Sequence, residues 1–325
     1  MILTFTRRHL FLLIQVIVSA VLIFFVFKNI HFGDLSGAFK NAQIKYLIVA
    51  LILSVPAWII GMFKWRVLAN AIMDKSPPFK FFISYYLIGH FYSLFVPGGQ
   101  ILGEGMKAWR ISNKSELKHQ LYLSVFADRV AGFLALGCLV LISFLTQPVL
   151  HGDRLSILSL VISVAIVLVG VIIFFSRTLL EYMYMIPEYL ARFLPVFIAS
   201  HVGILKGHLL EYHRHKKSTL IAIGIGAVAQ LVWVLIVYLI VISFNIYASF
   251  FFIAWTFLIM SVVTFLPVSY AGLGVREGTF VYFFSLIGVS RELALSVSLV
   301  LFSFQILAAL VGGGFELKEL WGRTR

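Results

Sequence analysis

The stretch TFLPVSYAGLGVREGTFVYFF (264–284) decides how this chain is read. Apolar residues run up to Pro267, give way to Gly272 and Gly274, deliver Arg276 and Glu277 side by side, and then resume. Proline removes a backbone donor and interrupts the helical ladder. Glycine admits conformations and close approaches that other residues resist. Opposite charges beside such a break fit a membrane segment whose loosened backbone faces protein or a wet cavity.

The rest of the chain supports a membrane setting. Its 325 residues are 61% hydrophobic and only 12% charged, with mean hydropathy +1.02, too little polar material to cover a soluble domain. About 20 apolar residues cross a bilayer core. Runs of that kind lie near 10–27, 46–63, 80–96, 120–146, 155–175, 219–243, 249–266 and 292–312. They are continuous, whereas barrel strands would alternate over about ten residues. The expected fold is therefore all-α: a single polytopic membrane domain over 1–325 with about eight transmembrane helices, two segments being Pro/Gly-broken or re-entrant. The first run is too long for a signal-peptide core and lacks a small-residue cleavage site, so it is read as an anchor. Cys138, the sole cysteine, excludes an internal disulfide and a thiolate metal cluster, and a packing role is expected for it.

The net charge of +13 raises nucleic acid as a partner. The cations instead group beside the apolar runs, with Lys64, Arg66, Lys75 and Lys80 read as one loop and HLLEYHRHKK (208–217) in another. Positive-inside bias and anionic headgroups account for that placement, and no nucleic-acid partner is expected. Residues 176–218 mix Arg177, Glu181, Glu188 and Arg192 with aromatic and aliphatic residues around Pro187 and Pro195, which reads as an amphipathic basic segment lying on the membrane. Trp321 and the arginines after it read as a headgroup-level anchor. Arg7 and Arg8 and both basic loops ask for the cytoplasmic side, yet three full runs separate the two loops. An extra crossing or a re-entrant excursion at 98–118 would restore parity, and the sequence leaves the choice open.

The opening stretch has a partner. FVPGGQILGEGMK (95–107) and FLPVSYAGLGVR (265–276) both read F-x-P, four or five residues, then G-x-G-x-[KR]. Paired interruptions in corresponding halves point to a transporter's substrate site, where half-helix N-termini face anionic groups. Gly98, Gly99, Gly103, Gly272 and Gly274 are the flexible positions, and Pro97 and Pro267 the helix breaks. Charges gather beside both: Glu104 with Lys107, then Arg110, then Asp128–Arg129, and finally Arg276–Glu277. Glu104 and Lys107 share a helical face and can pair. The two adjacent pairs diverge by about 100° on a helix, so cross-helix partners are expected, such as Arg129 with Glu104 or Glu277 and Arg276 with Asp128. Ion pairs that only hold the bundle together are one reading. The other is an anionic lipid headgroup held by the arginines and lysine, whose donors suit phosphate oxygens.

In LFVPGGQILGEGMKAWRIS (94–112), ADRVAGFLAL (127–136) and FLPVSYAGLGVREGTF (265–280) the chain resembles the lysylphosphatidylglycerol synthase transmembrane family, also called the flippase-like domain family. The resemblance implies a multi-span helical bundle in a prokaryotic cytoplasmic membrane. It also implies movement of a phospholipid or polyprenyl-phosphate-linked lipid between leaflets, with a glycosyltransferase or lipid-synthesis enzyme as a possible partner. The soluble aminoacyl-transferase domain of two-domain members is not expected after residue 325, so lipid aminoacylation is not carried over. Two other function classes stand beside translocation: a non-transporting scaffold subunit, and a membrane enzyme acting on a lipid-linked substrate. The residues give the enzyme little, since the loop histidines have no HExxH spacing and no serine sits in G-x-S-x-G; no P-loop appears either, so uphill transport would need a gradient or a partner. His90 is the one histidine deep in a span and is read as structural, and no metal, cofactor or catalytic residue is expected.

Overall fold

The computed structural model describes residues 2–28, 30–73, 77–95, 103–107, 118–175, 215–265 and 268–321. Among them no strand forms, and the protein is an all-α, multi-pass membrane protein. We number its helices α1 (Ile2–Phe27), α2 (Phe32–Lys40), α3 (Ile44–Ile72), α4 (Phe79–Phe95), α5 (Lys118–Leu145), α6 (Arg154–Phe175), α7 (Lys216–Ser243), α8 (Phe250–Phe265), α9 (Val275–Ser285) and α10 (Arg291–Trp321). Among the described residues five helices, α3, α5, α6, α7 and α10, are long and apolar enough to cross a bilayer; the α1–α2 pair, bent by 80°, makes six if it is one span. The apolar runs near 80–96 and 249–266 become α4 and α8, of 17 and 16 residues. At a rise of about 1.5 Å per residue these fall short of a ~30 Å hydrocarbon core.

The side-chain and backbone contacts fix how the helices run. Gln43 donates its backbone N–H to Ser243 O at 2.8 Å and its side-chain amide to Asn245 Oδ1 at 2.6 Å, so α3 begins where α7 ends and the two lie antiparallel. The other end of α3 meets the start of α5 through Trp65 Nε1, which donates to Ser124 Oγ at 3.0 Å. The ends of α3 and α10 and the starts of α4, α5 and α7 therefore share one face, marked by Lys80, His215, Lys216, Lys217 and Lys318 and here called the basic face.

α4 enters from that face, with Phe79 against Phe63 and Phe82 against Trp65. The chain then folds back on itself. A Cβ on Gly103 would strike the backbone of Ser93, and one on Gly89 would meet Lys107 Cδ at 3.0 Å, so the helical turn 103–107 returns antiparallel along α4. α4 and this turn form a re-entrant hairpin, and the next described helix, α5, starts on the basic face. Among the described residues only α5 and α6 cross between the starts of α4 and α7, which lie on the same face, and this removes the parity conflict. The reading of 176–218 as an interfacial segment lies outside the described residues apart from 215–218, where α7 begins.

A second hairpin enters from the opposite face. α8 begins just after α7 ends, packs Trp255 at a tilt against Phe144 near the end of α5, and brings Phe265 edge-on to Phe133 in the middle of α5. After the break, α9 runs back outward. Its Tyr282 donates to Asp153 Oδ1 at the start of α6, and Phe283 packs on Trp255. Burial opposes ionisation of Asp153, but hydrogen bonds from Tyr282 and Ser156 outweigh it and hold that carboxyl below its ordinary value.

The tips meet. Tyr270 Oη donates to Phe95 O at 3.2 Å, joining the second break to the last residue of α4. The described residues on either side of the break in both F-x-P…G-x-G copies thus occupy equivalent places in two hairpins of opposite entry: the first limb is described to Phe95 or Phe265, and the return limb from Gly103 or just after Gly274. The prolines themselves, Pro97 and Pro267, lie outside the described residues, as do Gly98, Gly99 and Arg110. Pro56 sits inside α3 without ending it, as neighbouring helices allow in a membrane.

The second tip needs its glycines. Gly272 and Gly274 have φ of +76° and +81°, and a Cβ on Gly274 would strike Leu22 of α1. The backbone N–H of Tyr270 donates to Ser19 Oγ at 2.7 Å, so α1 straps this tip from outside. Gly274→Ala combines a positive-φ penalty of about 1–2 kcal/mol with that overlap. It is expected to lower the thermal midpoint in detergent clearly more than Gly278→Ala, where a Cβ meets open space.

Candidate functional site

Between the hairpins lies a cavity of about 230 Å3, below the ~300–1,000 Å3 of ordinary ligand pockets. α3 contributes Trp58, Gly61 and Lys64 to its wall, and α4 contributes Tyr86, His90 and Ser93. Glu104 comes from the first return limb, Asp128 and Arg129 from α5, and Gln230 and Trp233 from α7. Thr264 comes from the last turn of α8, Arg276 from the first turn of α9, and Gln305 from the middle of α10. Both broken segments and three of the charge clusters singled out in the sequence therefore converge on one chamber inside the apolar bundle.

Local sequence explains how each charge gets there. Glu104 and Lys107, three apart on the helical turn, pair at 2.6 Å. Lys107 is fully buried, with its ammonium 4.2 Å from the Trp65 ring centre, and it does not reach the cavity wall. It holds Glu104 from behind. From the front, Arg129 ion-pairs with the other Glu104 oxygen while its side chain stays 31% exposed. Asp128, its neighbour in sequence, turns to another partner. Lys64 Nζ lies 3.2 Å from Asp128 Oδ1 and donates to the Asp128 carbonyl at 2.9 Å.

That pair corrects two expectations. Lys64 and Arg66 were placed in a loop, but α3 continues to Ile72 and carries both into the bundle. Asp128 was matched to Arg276, which binds elsewhere. Arg276 instead uses its own neighbour: its Nε donates to Glu277 Oε1 at 3.1 Å and its Nη2 lies 3.0 Å from the same oxygen. Adjacent residues diverge along a regular helix, yet these two sit in the first turn of α9, where Glu277 folds back. Glu277 Oε2 accepts the Gly274 N–H at 2.7 Å, so this carboxylate already fills the α9 N-terminus. That end is not a free anion site, as the half-helix argument had it.

Arg276 is completed by Gln305, whose Oε1 accepts from Nη1 at 2.8 Å, and by the Phe302 ring at 4.0 Å. From the sequence Gln305 was not singled out, and Lys64 was assigned to a loop and not to the site. Each carried a signal, as a polar side chain inside an apolar run: Gln305 in VLFSFQILAAL, beside only the small Ser303, and Lys64 in IIGMFKWRVLA, shared with Arg66. His90 lines the chamber with its ring edge-on to Tyr86. Cys138 is exposed on α5, away from the core packing role expected for it, because its side of that helix faces outward. No cluster of metal-binding side chains occurs among the described residues.

Chemically the chamber favours an anion. Lys64, Lys107, Arg129 and Arg276 face Glu104, Asp128 and Glu277, leaving one positive charge unmatched among the described residues at or behind the wall. An uncompensated charge in such surroundings is costly, and a bound anion would relieve it.

The family model of the lysylphosphatidylglycerol synthase TM region matches residues 12–313. The chain belongs to this family. The lysylphosphatidylglycerol synthase TM region match spans both hairpins and every cavity residue, so the chamber is part of the family domain and not an appendage to it. No curated protein matches the chain.

Proposed function

We propose that the protein moves a phosphate-bearing lipid between leaflets of a prokaryotic cytoplasmic membrane, its headgroup passing through the chamber between the hairpin tips while the tails stay in lipid. The observation that carries this reading is the meeting of two hairpins, entered from opposite faces, on one cation-rich cavity. A headgroup reaching it from either side meets the same arginines. Membership of a membrane-domain family named for a phospholipid synthase is compatible with that reading. The positive-inside bias turns the basic face to the cytoplasm.

Arg129 and Arg276 are the headgroup ligands in this scheme, and Lys64 adds charge to the wall. Glu104, Lys107, Asp128 and Glu277 position them. The glycines shape the tips: Gly103 lets the return limb lie against α4, and Gly272 and Gly274 turn the chain into α9. Arg110, Gly98 and Gly99, which follow the same motif, join the proposed site by sequence position alone.

The test is transport in proteoliposomes holding a headgroup-labelled anionic phospholipid, read by quenching of the outer leaflet. Wild-type protein should expose the inner-leaflet label, and Arg276→Ala should slow exposure by at least about tenfold, the worth of a charge-assisted hydrogen bond. Protein-free and wild-type vesicles behaving alike would contradict translocation.

A further inference from the structure

The Arg276 guanidinium is not fully used by the protein. It carries five N–H donors. One edge is occupied by a single oxygen, Glu277 Oε1, and Nη1 donates to Gln305 Oε1 at 2.8 Å. The Nη2 atom is buried and lies 3.0 Å from Glu277 Oε1 without completing a hydrogen bond to it. Phe302 covers the ring plane at 4.0 Å. Glu277 is itself pinned, accepting from Gly274 N at 2.7 Å and from Ser298 Oγ at 3.3 Å. The guanidinium is therefore held in one plane and has N–H bonds left over beside the cavity.

We infer that Gln305 is the positioning residue that keeps Arg276 open to an oxyanion, and that its being an amide and not a carboxylate sets the site's selectivity for anions. This rests on the proposed function and deepens it. An amide oxygen fixes the guanidinium through a hydrogen bond yet adds no charge, so Arg276 with Glu277 remains a neutral pair that can still donate to a phosphate oxygen. A carboxylate at the same place would accept the same hydrogen bond, close a second ion pair on Arg276 and turn the local charge negative. The ligand chemistry is a phosphate oxyanion, on a lipid or free.

Stability and binding separate this role from a structural one. Detergent-solubilised full-length wild-type protein, Gln305→Met, Gln305→Glu and Arg276→Ala would each be titrated with short-chain phosphatidylglycerol and with inorganic phosphate, and melted in parallel. Gln305→Met loses the acceptor but adds no charge, and its affinity for the lipid should fall by about tenfold, the worth of one hydrogen bond to a charged group. Gln305→Glu should melt at or above the Met variant, since its carboxylate stays paired with Arg276, and yet bind weakest, by at least about a hundredfold against wild type. That crossing of the two orders is the expected result. Affinities that simply follow stability, or a Met variant that binds as wild type, would overturn the assignment of Gln305. If Arg276→Ala binds as wild type, the proposed headgroup site falls with it. Equal affinity for inorganic phosphate would keep the role of Gln305 and overturn the lipid as its source.

Discussion

Arg129→Ala should lower headgroup transport by about 10- to 150-fold, the range spanned by a charge-assisted hydrogen bond of about 1.5–3 kcal/mol. Among the ion-paired cations around the chamber it is the most open, being 31% exposed where Arg276 is 2% and Lys107 0%. Its loss also removes the unmatched positive charge. The fold should survive, because Glu104 keeps Lys107 at 2.6 Å and Lys107 keeps its seat on Trp65. Arg129→Lys should recover part of the rate but not all of it, since an ammonium supplies charge without the planar fork. Parallel melting curves check the prediction: a transport loss with an unchanged midpoint assigns Arg129 to the lipid, whereas equal losses in both would make it a bundle strut.

Lys64→Met carries the largest expected effect on stability. Asp128 is buried and Lys64 largely so, and they meet at 3.2 Å, with the Asp128 carbonyl as a second acceptor for the same ammonium. Removing one member of a buried pair strands the other, which typically costs about 3–5 kcal/mol. Replacing both charges with apolar groups of similar volume is often neutral. The double variant Lys64→Met with Asp128→Leu is therefore expected to melt well above either single variant. The lysine stem lies close to α7, since a Cβ on Gly226 would meet Lys64 Cδ at 3.4 Å, so methionine preserves most of that packing. Additive losses in the double variant would show that the pair contributes no coupling. The same double variant is expected to transport slowly though it folds, because two charges of the chamber wall are gone.

How far the sequence revealed this arrangement depended on the kind of signal. Proline and glycine act through the backbone, so the F-x-P…G-x-G copies marked where to look, and α4 and α8 are described up to Phe95 and Phe265, the first residue of each copy; the prolines lie outside the described residues. Glu104–Lys107 was legible because three residues make one helical face, and the Arg129–Glu104 pair was one of two partners expected for that arginine. Lys64 was misread because position beside an apolar run says nothing of whether the helix continues; the packing of α3 on α5 and α7 carries it to Ile72. Arg276–Glu277 was misread for a related reason. The helical angle between neighbours holds inside a helix, but Glu277 sits in the first turn of α9 and bends back to the Gly274 N–H, which brings its carboxylate beneath the arginine. Gln305 was passed over because an uncharged residue in an apolar helix attracts no notice until its partner is known. The shortness of α4 and α8 did not stand out, since the run near 46–63 is of about the same length in sequence as theirs yet becomes part of the 29-residue α3, and only the contacts show from which face each enters.

The central claim, that a lipid headgroup occupies the chamber between the hairpin tips, is tested most directly by photo-crosslinking. A phospholipid carrying a diazirine next to its phosphate would be reconstituted with the protein, illuminated, and its adducts mapped by mass spectrometry. The account predicts adducts on chamber residues such as His90, Gln230 and Thr264, reduced in Arg129→Ala. Adducts confined to outward-facing residues such as Leu158 and Val161 of α6 would contradict it.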